Sequence, residues 1–117
     1  MKKYLYIDDS PCDRLLAEHA LAGEAEVTCA DGAVAGLALL AAGNYDLVIS
    51  DMMMPGPSGL DVARAVAAGP GTPLILTSSC RSLTSFEDYT GLGNYLGFIL
   101  KPLDAEKVRL LTHGAEA

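Results

Sequence analysis

Polar side chains follow four of the apolar runs in this sequence, and their types could serve a single reaction. Asp8 and Asp9 come directly after the first run, and Asp51 comes directly after the third. Thr77 ends the fourth run, and Lys101 follows the fifth. If these runs are parallel strands, their carboxyl ends lie at one edge of a sheet, which is where open parallel sheets bind ligands. Three carboxylates, a hydroxyl and an ammonium group are then expected to meet there.

The three carboxylates limit the chemistry of such a site. Carboxylates placed together repel each other, and one of them would normally become protonated. A hard divalent cation removes this conflict, and Mg²⁺ binds to a few carboxylate oxygens while it retains several waters. The same cation would neutralise an incoming phosphoryl group, which the Lys101 ammonium could bind from the other side. The residues therefore predict a site for phosphoryl chemistry that depends on Mg²⁺.

Apolar periodicity predicts the elements that hold these residues. Short β-rich runs are typical of buried strands, and the longer segments between them are typical of helices. The predicted strands are 4–7, 27–30, 47–50, 73–77 and 95–100, and the predicted helices are 11–23, 32–42, 58–69 and 104–112. Segment 81–94 contains poor helix formers, so any helix there is expected to be short or irregular. Strands that alternate with helices predict an α/β fold with a parallel sheet and right-handed crossovers.

Capping residues mark the ends of the predicted helices. Ser10 supplies an N-cap oxygen for the first helix, and Gly23 offers a left-handed C-cap at its end. Asp31 is expected to cap the second helix, and Ser58 with Asp61 has the spacing of a capping box for the third. These residues set the predicted helix boundaries.

The composition limits the domain organisation and the partners. The chain has 117 residues, half of them hydrophobic, which predicts one domain over residues 1–117 with a proper core. Its 15 acidic and 8 basic residues give a net charge of −7, which argues against nucleic acid and anionic membranes as direct partners. The sequence has no pattern of a membrane-spanning helix or a signal peptide, and its three cysteines form no metal-binding or disulfide pattern. We therefore expect a reduced, cytoplasmic protein without membrane insertion.

The loop after the third predicted strand links the sequence to a known family. Residues 51–59 read D-x-x-M-P-x-x-S-G and resemble the phosphoacceptor loop of bacterial response-regulator receiver domains. The acidic pair 8–9, the hydroxyl pair 77–78 and the Lys-Pro pair 101–102 match the other signatures of this family in the same order. The resemblance covers essentially the whole chain. It implies the flavodoxin-like receiver fold, in which a five-stranded parallel sheet of order 2-1-3-4-5 has helices on both faces.

The resemblance also implies roles for the acidic residues. Asp51 resembles the nucleophile that attacks a phosphoryl group and forms an aspartyl phosphate. Asp9 is similar to the direct Mg²⁺ ligand of the family, and Asp8 is similar to a ligand that acts partly through water. The backbone carbonyl of Met53 stands where the family has its third protein ligand. Together with Asp51, these groups form the metal site that the resemblance implies.

Three further residues have counterparts in the family. Lys101 is similar to the lysine that pairs first with the acceptor carboxylate and then with the phosphoryl oxygens. The peptide bond between Lys101 and Pro102 is expected to be cis, as is typical of the family. Thr77 resembles the switch hydroxyl that moves to the phosphoryl group, and Phe98 stands at the position of the aromatic switch residue. The resemblance therefore implies Asp51, Lys101 and Thr77 as catalytic residues, with Thr77 and Phe98 as the switch.

The function that the resemblance implies is that of a stand-alone, chemotaxis-regulator-like response regulator in a two-component system or phosphorelay. The phosphoryl donor would be a phosphohistidine on a sensor histidine kinase or phosphotransfer protein, or a small molecule such as acetyl phosphate. Phosphorylation would switch binding to a downstream protein target. The chain would then be a phosphoacceptor signalling protein and not an enzyme.

Two departures from the family pattern leave other functions open. The connection from Asp51 to Thr77 is a few residues shorter than usual, and segment 81–97 lacks the usual Gly-Ala-Asp run, so partner choice and switching by Phe98 stay open. A divergent receiver that serves as a phosphorylation-independent interaction module is therefore an alternative. A Mg²⁺-dependent phosphatase with an Asp nucleophile is a weaker alternative, because such enzymes have a D-x-D motif after the first strand. This chain has adjacent aspartates there.

Overall fold

A parallel five-stranded sheet forms the centre of the computed structural model, which describes residues 2–56, 58–79 and 93–116. The strands are β1 (Lys2–Ile7), β2 (Ala25–Ala30), β3 (Leu47–Asp51), β4 (Leu74–Ser78) and β5 (Tyr95–Leu100). The helices in the described ranges are α1 (Pro11–Leu21), α2 (Ala33–Ala42), α3 (Gly59–Ala68) and α4 (Ala105–Glu116).

The strand order confirms the predicted fold. Neighbouring strands pair in the order β2-β1-β3-β4-β5, and every pair is parallel. β2 lies next to β1 on one side and β3 lies next to β1 on the other. The direction in which successive strands are added therefore reverses at β1. The carboxyl ends of β1 and β3 therefore flank the crevice in which open parallel sheets bind their ligands.

Helices cover both faces of the sheet. On one face, α2 and α3 pack against a core that includes Leu5, Val48 and Leu76. On the other face, α1 and α4 pack against a core that includes Tyr6 and Ile49. Successive strand residues point to opposite faces, which is why adjacent residues such as Leu5 and Tyr6 enter different cores. Because both faces are covered, every residue of β3 and β4 is buried.

Two of the predicted helix caps form. Ser10 Oγ accepts a hydrogen bond from the Asp13 backbone N–H at 3.2 Å, which confirms the N-cap of α1. The capping box of α3 is also present, with the Ser58 N–H donating to Asp61 Oδ2 at 2.9 Å. These caps fix the first turns of the helices that follow β1 and β3, the two strands that lead into the acidic residues.

Two other predicted caps are wrong. The C-cap of α1 is Ala22 in a right-handed conformation, and Gly23 does not adopt a positive φ. The Ala22 N–H instead bonds the carbonyl three residues earlier, at 3.4 Å, so a tight turn ends the helix without a left-handed residue. The N-cap of α2 is Gly32 and not Asp31, because Gly32 is extended and the helix begins one residue later than predicted, without a side-chain cap.

The remaining predictions concern the second half of the chain. The prediction of a short or irregular helix over 81–94 falls mostly on residues 80–92, which lie outside the described residues. β5 has the predicted bounds, and α4 continues to Glu116, beyond the predicted end at 112. The Lys101–Pro102 peptide bond is cis, as expected.

Across the described ranges, no helix has the length and apolar character needed to span a bilayer.

Candidate functional site

Three carboxylates meet at the carboxyl edge of the sheet. Asp8 and Asp9 directly follow β1, and Asp51 is the last residue of β3. One oxygen atom from each carboxylate lies within 4.8 Å of the other two. Asp8 is fully buried and Asp51 is 6% exposed, whereas Asp9 faces solvent. The structure therefore brings together the three acidic residues that the sequence singles out.

Asp8 is held by donors on three sides. Its Oδ2 accepts hydrogen bonds from the Tyr6 hydroxyl at 2.6 Å and from Lys101 Nζ at 2.7 Å. Its Oδ1 accepts from the Ser10 backbone N–H at 3.0 Å. Burial alone would raise the pKa of Asp8, but the hydrogen bonds from Lys101 and Tyr6 outweigh it, and the pKa is lowered. Asp8 therefore stays ionised and fixed in position at the base of the site.

Asp51 has much weaker partners. Lys101 Nζ lies 3.7 Å from its Oδ2, and the Met53 N–H lies 3.5 Å from its Oδ1. Burial raises the pKa of Asp51 to about 6, and the negative charge of Asp8 adds to this effect. The nearby Lys101 ammonium lowers the pKa, but not enough to compensate. The Asp51 carboxylate is therefore a buried, incompletely neutralised anion.

Lys101 is shared among three carboxylates. Its Nζ lies 2.7 Å from Asp8, 2.8 Å from Asp13 and 3.7 Å from Asp51. Burial lowers the pKa of Lys101, but hydrogen bonds to Asp13 and Asp8 reverse that effect, and the pKa is raised above its ordinary value. Lys101 is thus positively charged at neutral pH and lies beside the predicted phosphoacceptor.

Thr77 and Phe98 lie on the strands next to the site. Thr77 is aligned with Asp51 across the β3–β4 pair and is fully buried. Its hydroxyl donates to the Ile99 backbone oxygen at 2.7 Å, so in this structure it bonds β5 and not Asp51. Phe98 is half-buried against the core that α2 and α3 cover. The switch roles of Thr77 and Phe98 stay predictions.

Glycines in the loop after β3 determine where Asp51 sits. A Cβ atom on Gly59 would lie 2.6 Å from Met52 Cα and 2.7 Å from the Asp51 backbone oxygen, so only glycine allows α3 to begin this close. Gly56 has a φ of +74°, which also favours glycine. Met53 is 59% exposed, and its backbone N–H faces Asp51, with the nitrogen 3.5 Å from Oδ1. The D-x-x-M-P-x-x-S-G loop thus packs its helix directly against the acceptor residue.

Three side chains that support the acids were not predicted from the sequence. Tyr6 stands two residues before Asp8, so the strand period of two places both side chains on one side and could have indicated the contact. Arg14 Nη1 donates to the Asp8 backbone oxygen at 2.9 Å from within α1. Asp13 reaches Lys101, a residue 88 positions away along the chain, and no local pattern predicts such a contact.

The donor set fits a hard divalent cation. The candidate side-chain ligand atoms are all carboxylate oxygens, which Mg²⁺ prefers over nitrogen or sulfur. Asp51 has only long contacts to protein donors, and Asp9 is exposed, so both retain oxygen lone pairs for a metal ion. Asp8 already accepts three hydrogen bonds, which agrees with a ligand that acts partly through water. A divalent cation would also relieve the repulsion that raises the pKa of Asp51.

A known protein family matches most of the chain. The family described as "Response regulator receiver domain" matches residues 5–113 of the chain. The chain belongs to this family. Receiver domains are signalling proteins of two-component systems, and they bind Mg²⁺ at an acidic pocket. In this chain, Asp8, Asp9 and Asp51 form an acidic cluster at the carboxyl edge of the sheet.

Individual relatives cover nearly all of the chain. It is 33% identical over 115 residues to the transcriptional regulatory protein ResD of Bacillus subtilis, a match that covers 92% of the chain and 45% of ResD. It is 28% identical over 113 residues to the chemotaxis protein CheY of Pseudomonas aeruginosa, with 92% and 90% covered. Among solved structures, the response regulator TrrA of Thermotoga maritima in complex with Mg²⁺-BeF is 31% identical, with 95% and 99% covered and a TM-score of 0.79. The chain spans 33% to 45% of the length of the longer curated relatives.

Proposed function

We propose that this receiver accepts a phosphoryl group on Asp51, in a reaction that requires Mg²⁺, and that the modification switches its binding to a protein partner. The observation that carries the proposal is the position of Asp51. It is a buried carboxylate beside two further acids and within 3.7 Å of a lysine ammonium. This combination of a nucleophile, a metal-binding acid pair and a fixed cation is what phosphoryl transfer to a carboxylate needs.

The reaction follows from the groups at the site. An Asp51 oxygen attacks the phosphorus atom, and the bond between phosphorus and the leaving group of the donor breaks. With a phosphohistidine donor on a sensor histidine kinase or phosphotransfer protein, the imidazole leaves and takes up a proton from water. The Lys101 ammonium stabilises the negative charge on the phosphoryl oxygens. When bound, Mg²⁺ would supply further charge neutralisation, and Asp8, Asp9 and Asp51, together with the Met53 backbone carbonyl, would hold it.

The output of the domain is proposed to be a change in binding. Thr77 would exchange its bond to the Ile99 oxygen for one to the phosphoryl group, and Phe98 on the same strand pair would follow that movement. Residues 1–117 would act as one receiver unit that signals to a downstream protein target. In this reading the chain is a phosphoacceptor and not an enzyme that turns over a separate substrate.

Intact-mass analysis tests this proposal. The protein is incubated with acetyl phosphate, with Mg²⁺ or with EDTA, and Asp51→Asn is compared with Glu26→Gln, which changes an exposed acid on β2. Wild type and Glu26→Gln should gain the mass of one phosphoryl group with Mg²⁺ only, and Asp51→Asn should gain none. An adduct that survives in Asp51→Asn would contradict the assignment of Asp51. No adduct on the wild type would favour the phosphorylation-independent interaction module.

A further inference from the structure

Asp13 binds the same lysine that serves the phosphoacceptor. Its Oδ2 lies 2.8 Å from Lys101 Nζ, almost a full ångström closer than the nearest Asp51 oxygen at 3.7 Å. Asp13 lies in the first turn of α1, where its N–H is bonded to the Ser10 side chain, so its backbone is fixed. Lys101 is therefore attached to α1 through Asp13 and is too far from Asp51 for a hydrogen bond.

The ion pair between Asp13 and Lys101 is partly shielded from solvent, so its charges can affect ligand binding at the site. The Lys101 side chain is 12% exposed and the Asp13 side chain is 32% exposed, so solvent screens the attraction only in part. The ammonium has three protons, and two of them point to Asp8 and Asp13. Its charge is thus already neutralised by two carboxylates before any anion reaches Asp51.

We propose that Asp13 is a positioning residue that holds the Lys101 ammonium on the α1 side of the site and thereby weakens the binding of a phosphoryl-like anion at Asp51. This inference rests on the proposed function, because it assumes that the anion binds at Asp51. The contact between Asp13 and Lys101 would set the strength of anion binding at Asp51, although Asp13 does not belong to the cluster of Asp8, Asp9 and Asp51.

The charge change in Asp13→Asn should have opposite effects on the binding of anions and of cations. Replacing Asp13 by Asn removes one negative charge near the site and releases Lys101 toward Asp51, and both changes favour a bound anion. The same two changes disfavour a bare cation, because Lys101 then neutralises Asp51 more completely. A substitution that merely loosened the site would weaken both ligands together.

The test uses calorimetric titrations with two probes, MgCl₂ alone and beryllofluoride at saturating Mg²⁺. In Asp13→Asn, beryllofluoride should bind roughly tenfold more tightly and Mg²⁺ alone about threefold more weakly, as expected for one partly screened charge. Glu18→Gln is the matched control, since Glu18 is an exposed acid on the same helix, farther from the strand ends. It should leave both affinities within about twofold. Asp13→Glu, which keeps the charge, should return both affinities toward the wild-type values.

The possible failures can be told apart. If wild type binds beryllofluoride but Asp13→Asn binds it no more tightly, the role of Asp13 is refuted and the proposed function stands. If both probes weaken together in Asp13→Asn, Asp13 has only a structural role, and the inference is again refuted. If wild type takes up no beryllofluoride, or Asp51→Asn binds it equally well, the proposed function fails and the inference fails with it.

Discussion

Replacing Asp51 with Asn should stabilise the metal-free protein. Asp51 is a buried carboxylate next to Asp8, and its pKa is raised from an ordinary value of 3.8 to about 6. At neutral pH the folded protein therefore carries an ionised group that the unfolded chain solvates better. A displacement of this size corresponds to about 3 kcal/mol, and we expect Asp51→Asn to gain roughly 1–3 kcal/mol because the amide keeps weak contacts of its own.

The pH dependence of this effect has a definite sign. Because the pKa of Asp51 is raised by folding, its ionised form destabilises the fold at pH values above 6. As the pH falls from about 6 toward 3.8, the wild-type carboxyl group becomes protonated in the folded state and the penalty shrinks. The stability difference between Asp51→Asn and wild type should therefore be largest above pH 6 and should vanish below pH 3.8.

Urea unfolding followed by circular dichroism measures this difference. Wild type, Asp51→Asn and the exposed-acid control Glu26→Gln are unfolded in EDTA at about pH 7.5 and again at about pH 5, and unchanged slopes show that only stability has changed. Added Mg²⁺ should stabilise wild type more than Asp51→Asn, since the variant lacks one of the proposed ligands. If Asp51→Asn were no more stable than wild type in EDTA while Glu26→Gln behaved as wild type, the electrostatic reasoning would be refuted.

Three further substitutions test the contacts that hold the site. Tyr6→Phe keeps the ring but removes the 2.6 Å hydrogen bond to Asp8, and should lower the free energy of unfolding by about 1–3 kcal/mol in a urea titration. Gly59→Ala places a methyl group against the backbone of the acceptor loop and should cost about 1–3 kcal/mol by the same measurement. Gly23→Ala, where an added Cβ meets open space, is its control and should change stability by less than about 0.5 kcal/mol. Ser10→Ala removes the N-cap of α1 and should lower the melting temperature through a loss of about 1 kcal/mol, and an unchanged melting temperature would show that the cap adds nothing.

The strands could be predicted because several signals coincide. Buried parallel strands appear as uninterrupted apolar runs, and β3 and β5 begin where those runs begin. A strand that ends in an acid, a hydroxyl or a lysine places that group at a known edge of the sheet, which is why the sequence alone predicts that Asp8, Asp51 and Lys101 lie close together. The sheet order came from the family resemblance, since the runs alone do not specify which strands pair.

The details that could not be predicted depend on long-range packing. Gly23 and Asp31 have residue types that favour caps, but the chain turns tightly at Ala22 and enters α2 through extended Gly32. The pairing of Lys101 with Asp13 is set by the docking of α1 on the sheet, which no local spacing encodes. Cap preferences of about 1 kcal/mol are small enough for such packing to override them.

Chemical mapping of the phosphorylated residue tests the central claim most directly. An aspartyl phosphate is an acyl phosphate, which borohydride reduces to homoserine, so the modified position can be read by peptide mass spectrometry after treatment with acetyl phosphate and Mg²⁺. The structure predicts homoserine at position 51 alone, with none formed in EDTA. Homoserine at Asp8, Asp9 or Asp13, or none at any position, would contradict the assignment of Asp51 as the phosphoacceptor.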